Sequence, residues 1–275
     1  MYPHLFGIDV LNMYGLCIGI GVIVCLMFLR FACKRLNIPQ KFEDFCEINA
    51  ILSVAVGILS GMLFQSFYIY LDDPSKGFHF TTDITFLGGL LGGAALFLLI
   101  YFLYGRKKYG AYLIRLLPIA ACCIAVAHAF GRIGCFCYGC CYGREAEPHA
   151  FLAVNFPGSG WRYPTQLFES FFLFALFFGC AYLTVFKKYK YTMNVYLITY
   201  GIFRFIMEFF RDDYRASFIP GLTPSQFWSL VMIVLGIALY FILPYLFKKF
   251  NIKLDDISDT QNSEVVNEQE QPNGE

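Results

Sequence analysis

Long apolar stretches, separated by short polar segments, run through the first 250 residues of the chain. Seven of them are long enough to cross a bilayer as helices, since a span needs about 20 apolar residues. They cover approximately residues 12–32, 46–70, 85–104, 111–132, 167–186, 192–210 and 223–247. The pattern predicts an all-α fold, with residues 1–250 forming one polytopic membrane domain of seven transmembrane helices.

Lysine and arginine are concentrated in alternate connections between these stretches. The basic positions are Lys34, Arg35, Lys41, Arg106, Lys107, Lys108, Lys187, Lys188, Lys190, Lys248, Lys249 and Lys253. The connections in between carry few basic residues, and those lie beside aspartates. Because basic connections stay on the cytoplasmic side, the N-terminus is predicted to lie outside and the C-terminus inside.

Composition supports a membrane protein and excludes an ordinary soluble domain. The chain is 58% hydrophobic and only 15% charged, with a formal net charge of +1. That charge balance gives no sign of nucleic-acid binding. Residues 251–275 are rich in acidic and amide side chains and lack aromatic residues, which predicts a disordered cytoplasmic tail.

Polar groups interrupt the apolar pattern in the segment His128–Arg144, which reads HAFGRIGCFCYGCCYGR. His128 and Arg132 are four residues apart and therefore share one helix face. An arginine at membrane depth is costly unless it is paired or hydrated, so Arg132 is a candidate functional residue. A structural arginine that reaches the membrane surface remains the alternative. A long outer connection, about 133–166, is expected to follow and to form a lid or headgroup pocket.

A second polar face lies in the sixth apolar stretch. Tyr200, Arg204 and Glu208 are spaced four residues apart, so the three side chains project from the same side of a helix. One interpretation is a structural ion pair that holds the helix in the bundle. The other is that Arg204 binds a phosphate-like anion, for which its forked guanidinium is suited, while Glu208 orients it.

Four thiols lie close together at the outer end of the fourth stretch: Cys135, Cys137, Cys140 and Cys141. They could bind a soft metal ion, form disulfides, or line a pocket as small polarizable side chains. No second C-x-x-C pair accompanies them, and they lie at a membrane boundary. We therefore expect no bound metal and no cofactor.

Several segments resemble one known family. GRIGCFCYGCCYGR at Gly131–Arg144 is similar to the signature of prolipoprotein diacylglyceryl transferases, GRxGNFxNxExxG. Further similarity lies in Tyr163–Ser170 (YPTQLFES), Tyr200–Asp212 (YGIFRFIMEFFRD), the sequence Tyr14-Gly15-Leu16, and Leu87–Gly93 (LGGLLGG). The matches occur in order along nearly the whole membrane portion.

The resemblance implies seven helices in the bacterial cytoplasmic membrane. It also implies transfer of diacylglyceryl from phosphatidylglycerol to the lipobox cysteine thiol of prelipoprotein signal peptides. The expected partners are these substrates and membrane lipids, and no nucleic acid is expected. By position it makes Arg132, Arg204 and Glu208 catalytic residues. Expected substrate-binding residues are Tyr14, Tyr200, Gly131, Gly143, Gln166, Cys135 and Cys140.

Several positions depart from the family pattern. The asparagine and glutamate of the signature are Cys135 and Cys140 here, and the histidine that precedes the Gly-Gly pair is Leu87. A transferase with Leu87 needs another acceptor for the thiol proton, and we hypothesise that His128 takes that catalytic role. Competing candidates are Glu208 and a thiolate from the cysteine run. Two other functions remain open: anionic-lipid binding without transfer, and a thiol-redox or metal protein.

Overall fold

The computed structural model describes residues 13–81, 84–110, 112–211 and 221–249. The helices are α1 (Met13–Arg35), α2 (Gln40–Asp72), α3 (Phe86–Ile100), α4 (Arg106–Tyr109), α5 (Tyr112–Tyr138), α6 (Thr165–Val185), α7 (Thr192–Met207) and α8 (Pro224–Lys249). A π-helical turn, Tyr101–Gly105, joins α3 to α4, and 3₁₀ turns occupy Pro74–Lys76 and Glu208–Phe210. The acidic tail predicted for residues 251–275 lies outside the described residues.

Within the described residues, six helical segments are long and apolar enough to cross a membrane, which confirms a mostly helical protein with several candidate spans. They are Met13–Arg35, Gln40–Leu71, Leu87–Tyr109, Tyr112–Tyr138, Thr165–Val185 and Pro224–Lys249. The predicted sixth stretch forms α7, which has 16 residues. At 1.5 Å per residue this helix is about 24 Å long, somewhat short of the bilayer core. Seven membrane crossings therefore stay a prediction.

The described chain divides into two compact units. One covers Ile38–Leu113 and contains the pair α2 and α3. Glycines let the backbones of these helices approach closely: a Cβ on Gly57 would lie 2.8 Å from the Gly89 carbonyl oxygen, and one on Gly93 would lie 3.0 Å from the Ser53 carbonyl oxygen. Packing through small residues is the usual way in which membrane helices associate. The family-like Gly-Gly segment therefore has a structural role in this unit.

The other unit joins the N-terminal segment through Asn37 to the chain from Ile114 onward, and contains α1 and α5–α8. Helix α5 supplies much of its core, with Ile119, Ala121, Ala125 and Ala129 fully buried. Helices α7 and α8 approach closely where Gly201 and Gly236 face the partner helix. Many large apolar side chains on the outside of the helices are exposed, as expected for surfaces that face lipid.

The end of α5 differs from the sequence prediction. Ile133 was expected to begin a non-helical connection, but α5 continues to Tyr138. Gly139 ends the helix with φ +79°, and the Cys140 N–H donates to the Cys135 carbonyl at 3.1 Å. This is the Schellman arrangement, in which a left-handed glycine reverses the chain. The apolar stretch therefore extends one and a half turns further than its hydrophobicity alone indicates.

A small antiparallel hairpin lies within the connection between α5 and α6 and adds to the helical fold. Strand β1 is Val154–Phe156 and strand β2 is Gly160–Arg162, with Val154 opposite Arg162. The buried Phe156 ring contacts Phe136 on α5 and Tyr142, at centroid distances of 5.9 and 5.1 Å. These contacts hold the hairpin against the C-terminal end of α5, close to the cysteine run.

Candidate functional site

A buried carboxylate lies at the centre of the polar side chains of the α1, α5–α8 unit. Glu169, in the second turn of α6, is 1% exposed. One of its oxygens pairs with Arg132 Nε at 3.0 Å, and the other accepts a 2.7 Å hydrogen bond from the Tyr200 hydroxyl and lies 3.6 Å from His128 Nε2. Because a buried carboxylate is costly without such partners, these contacts explain how Glu169 is accommodated.

The predicted Arg204–Glu208 pair is present at the end of α7, where Glu208 begins the 3₁₀ turn. Arg204 Nη1 lies 2.9 Å from Glu208 Oε2, and Nη2 donates to Ser225 Oγ at 2.9 Å. Both Arg204 and Glu208 are buried. Each terminal nitrogen of a guanidinium carries two hydrogens, so Arg204 keeps donors beyond these two contacts.

The guanidinium of Arg132 has N–H donors that Glu169 does not use. Within the described part of the chain its two terminal nitrogens donate no hydrogen bond to another residue, and its side chain is 15% exposed. Arg204 lies close enough to interact electrostatically with both Glu169 and His128. Both guanidinium groups therefore belong to one polar cluster around Glu169 and His128, and guanidinium groups are suited to bind an oxyanion.

His128 lies one helical turn deeper than Arg132, as predicted from their spacing. Its ring is 4% exposed and packs edge-on against Tyr200, with the centroids 5.2 Å apart. Tyr200 in turn stacks on Tyr196 at 5.8 Å. The histidine is thus fixed beside Glu169, within the same polar cluster as both arginines.

Three of the four thiols in the cysteine run come together. The sulfur atoms of Cys135, Cys140 and Cys141, which we call the thiol cluster, lie within 4.8 Å of one another. All three residues are half-buried free thiols. Hydrogen bonds from Cys135 and Cys140 hold the pKa of the Cys141 thiol below its ordinary value, whereas the corresponding contacts raise the pKa of Cys140. Cys137 faces Cys17 on α1 instead.

Two more predicted site residues contact the end of α5. Gln166 is buried and its Nε2 donates to the Cys140 carbonyl at 2.6 Å, so it supports the backbone of the thiol cluster. Tyr14 is half-buried on α1, and its ring packs where a Cβ on Gly134 would lie, 2.9 Å away. Its hydroxyl is close enough to interact electrostatically with the thiol cluster and with Arg132.

The two predicted glycines have different surroundings. A Cβ on Gly143 would lie 2.7 Å from Thr165 Cγ2 and 2.8 Å from the Phe210 carbonyl oxygen, so only glycine fits this close approach. A Cβ on Gly131 would meet no atom within 4 Å. Gly143 is therefore needed by the fold, and Gly131 borders open space beside Arg132.

Sequence reasoning gave Glu169 no role, although the carboxylate joins the polar cluster. A signal was present, since a glutamate near the start of an apolar 21-residue helix is expected to have a partner. Its pairing with Arg132 could not be read from the sequence, because the two residues are on different helices. Leu87, at the family's histidine position, lies on α3 in the other unit.

Comparison with known proteins agrees with the sequence resemblance. The family model for prolipoprotein diacylglyceryl transferase matches residues 3–242. Phosphatidylglycerol–prolipoprotein diacylglyceryl transferase 2 of Clostridium perfringens is 35% identical over 249 residues, 86% of this chain and 92% of the relative. The enzymes of Clostridium tetani and a Wolbachia species are 33% and 30% identical, over 86% and 91% of this chain and 94% and 97% of the relatives. The chain therefore belongs to the prolipoprotein diacylglyceryl transferase family.

Proposed function

We propose that this protein transfers a diacylglyceryl group from phosphatidylglycerol to the thiol of a lipobox cysteine in prelipoprotein signal peptides. The observation that carries the proposal is that both guanidinium groups interact with Glu169 in one polar cluster, where Arg132 uses only its Nε for that carboxylate. The leaving group is a glycerol phosphate, which gathers negative charge as the carbon–oxygen bond breaks. Arginines placed where that charge develops stabilise the transition state.

Arg132 and Arg204 are proposed to contact the phosphate, and their carboxylate partners to orient them. Glu169 holds Arg132 at 3.0 Å and Glu208 holds Arg204 at 2.9 Å. Two arginines and two carboxylates sum to zero charge, so the empty site carries no large uncompensated charge in the membrane. The phosphodiester of the substrate brings one negative charge, and the remaining guanidinium N–H groups donate hydrogen bonds to its oxygens.

Seven membrane crossings with the N-terminus outside are proposed as the topology in the bacterial cytoplasmic membrane. The basic connections support this orientation, and it puts the thiol cluster and the hairpin on the outer side. A reporter fused after Lys249 is expected to be cytoplasmic, and a cysteine at the exposed Glu147 should gain labelling from an impermeant reagent in intact cells. Wild-type protein gives the background labelling of the native thiols. Labelling at Glu147→Cys only after the cells are opened would reverse the orientation.

His128 is the proposed acceptor of the thiol proton. Glu208, one competing candidate, is already paired with Arg204. His128→Gln keeps most of the size and hydrogen bonding but cannot take up a proton, so turnover should fall by about tenfold or more near neutral pH. Initial rates against pH, measured on protein inserted normally in membranes, check this. Turnover near the wild-type level would remove His128 from the proton step.

The function itself is tested in cells depleted of their own transferase. Expression of this chain should restore lipidation of a reporter prelipoprotein, seen as incorporation of labelled diacylglyceryl from phosphatidylglycerol. A lipobox Cys→Ala reporter is the control and should stay unmodified. Binding of phosphatidylglycerol with no transfer would instead support a lipid-binding relative without the activity.

A further inference from the structure

The thiol cluster has the dimensions of a metal site. Its three sulfur atoms lie within 4.8 Å of one another. Thiolates bound tetrahedrally to zinc at about 2.3 Å are about 3.8 Å apart, so shifts of about 1 Å close the cluster around an ion. Thiolates are the ligands that zinc and other soft metals prefer.

The backbone holds these three residues in place. The Schellman turn at Gly139 folds the chain back over Cys135, and Cys141 adopts φ +63°, a conformation that non-glycine residues rarely take. Thr165 Oγ1 donates to the Cys141 carbonyl at 3.3 Å, and Gln166 Nε2 donates to the Cys140 carbonyl at 2.6 Å. The first turn of α6 therefore fixes both loop cysteines, as supporting hydrogen bonds do around metal ligands.

The surrounding charges suit a thiolate-rich centre. Three thiolates and one Zn²⁺ carry a net charge of −1, and the guanidinium groups of Arg132 and Arg211 lie close to Cys141. Two members of the cluster, Cys135 and Cys140, stand where the family signature has its first Asn and its Glu. The departures are therefore adjacent in space and change one site from oxygen and nitrogen groups to sulfur.

We propose that Cys135, Cys140 and Cys141 bind one zinc ion whose fourth position takes the thiol of the acceptor cysteine. The inference rests on the proposed function, since it assigns that thiol a place in the site. No metal was expected from the sequence, and the proposal departs from that expectation because the three sulfur atoms lie close together. Three protein ligands with an open fourth position are typical of catalytic zinc.

A bound metal ion would ionise the acceptor thiol more completely than a histidine base can. A free thiol has a pKa of about 8.5 and imidazole one of about 6.5, so proton transfer from the thiol to a neutral imidazole is unfavourable by about a hundredfold. A thiol that coordinates zinc loses its proton outright. The released proton is assigned to His128, which shares a face of α5 with Arg132 and Cys135.

The transfer then balances without any redox step. The zinc-bound thiolate attacks the glyceryl carbon that is attached to the donor phosphate. A carbon–sulfur bond forms as the carbon–oxygen bond breaks, and the electron pair of that bond leaves on glycerol phosphate at the arginines. The thioether product is a neutral and weaker ligand than a thiolate, so it leaves the zinc and the fourth position becomes open again.

Metal binding is measured first, on the full chain purified in detergent with its thiols reduced. One zinc per chain is expected by elemental analysis after equilibration with micromolar zinc. Cys135→Ser, Cys140→Ser and Cys141→Ser should each lower retention by about tenfold or more. Cys137→Ser is the matched control, because Cys137 lies in the same run but outside the cluster, and it should keep its zinc. No bound zinc in the reduced wild-type protein, or equal retention in all four variants, would overturn the site.

The open position is tested with cobalt(II) in place of zinc. Thiolate-to-cobalt absorption should appear in the wild type and change when a lipobox peptide is added. A peptide with serine in place of the cysteine should leave the spectrum unchanged. If the cobalt spectrum does not change when the thiol peptide is added, coordination of the substrate thiol is refuted, even with the metal bound. Neither measurement requires turnover, so a chain that binds zinc and the thiol but transfers nothing would count against the proposed function alone.

Discussion

Glu169→Gln is expected to reduce turnover by about a hundredfold or more. The substitution keeps the shape of the side chain but removes the charge that pairs with Arg132 at 3.0 Å. Removing one partner of a buried pair typically costs about 3–5 kcal/mol, and part of that cost appears here as a misplaced guanidinium. Initial rates of diacylglyceryl transfer to a lipobox peptide measure the loss.

Two variants separate this effect from general damage. Glu145→Gln removes a carboxylate that pairs with Arg162 at 2.7 Å but is 76% exposed, and it should change the rate little. Glu169→Asp keeps the charge on a shorter side chain and should recover part of the activity. If Glu169→Gln inserted normally and turned over like the wild type, the carboxylate would have no part in orienting Arg132.

Arg204→Lys should reduce turnover by about tenfold or more while leaving membrane insertion unchanged. Lysine keeps the positive charge but cannot contact Glu208 and Ser225 from two nitrogens and still present donors to a phosphate. The loss should appear in kcat more than in KM, because the contact strengthens as negative charge develops on the leaving group.

The matched control for Arg204→Lys is Arg162→Lys on strand β2. Arg162 also uses its guanidinium for two contacts, with Glu145 and with the Ser159 carbonyl, but it lies outside the polar cluster. That variant should retain activity close to wild type. Normal turnover of Arg204→Lys would contradict a phosphate contact from Arg204.

Contacts within one helix could be predicted from the sequence, and contacts between helices could not. Spacing of four residues placed Arg204 beside Glu208, and the structure has that pair at 2.9 Å. The pairing of Arg132 with Glu169 joins α5 to α6, and no periodicity within either helix contains that information. The resemblance to a family identified the segment around Glu169 but not the contact.

Hydrophobicity predicted where helices run better than where they end. The fourth apolar stretch was expected to stop at residue 132, whereas α5 ends at Tyr138 because Gly139 provides the left-handed residue that stops a helix. The proximity of the three thiols follows from this reversal, so it could not be deduced from the spacing of the cysteines. The short hairpin was not predicted, although the Pro-Gly pair between its two strands is a typical turn sequence.

The first two turns of α6 join the two halves of the site mechanically. Gln166 donates a hydrogen bond to the backbone of the cysteine loop. Glu169, three residues later on the same helix, forms the ion pair with Arg132. A small outward tilt of this end of α6 would therefore loosen the loop and free the arginine in a single movement. The position of the cysteine loop and the position of the Arg132 guanidinium are thus coupled through one end of one helix.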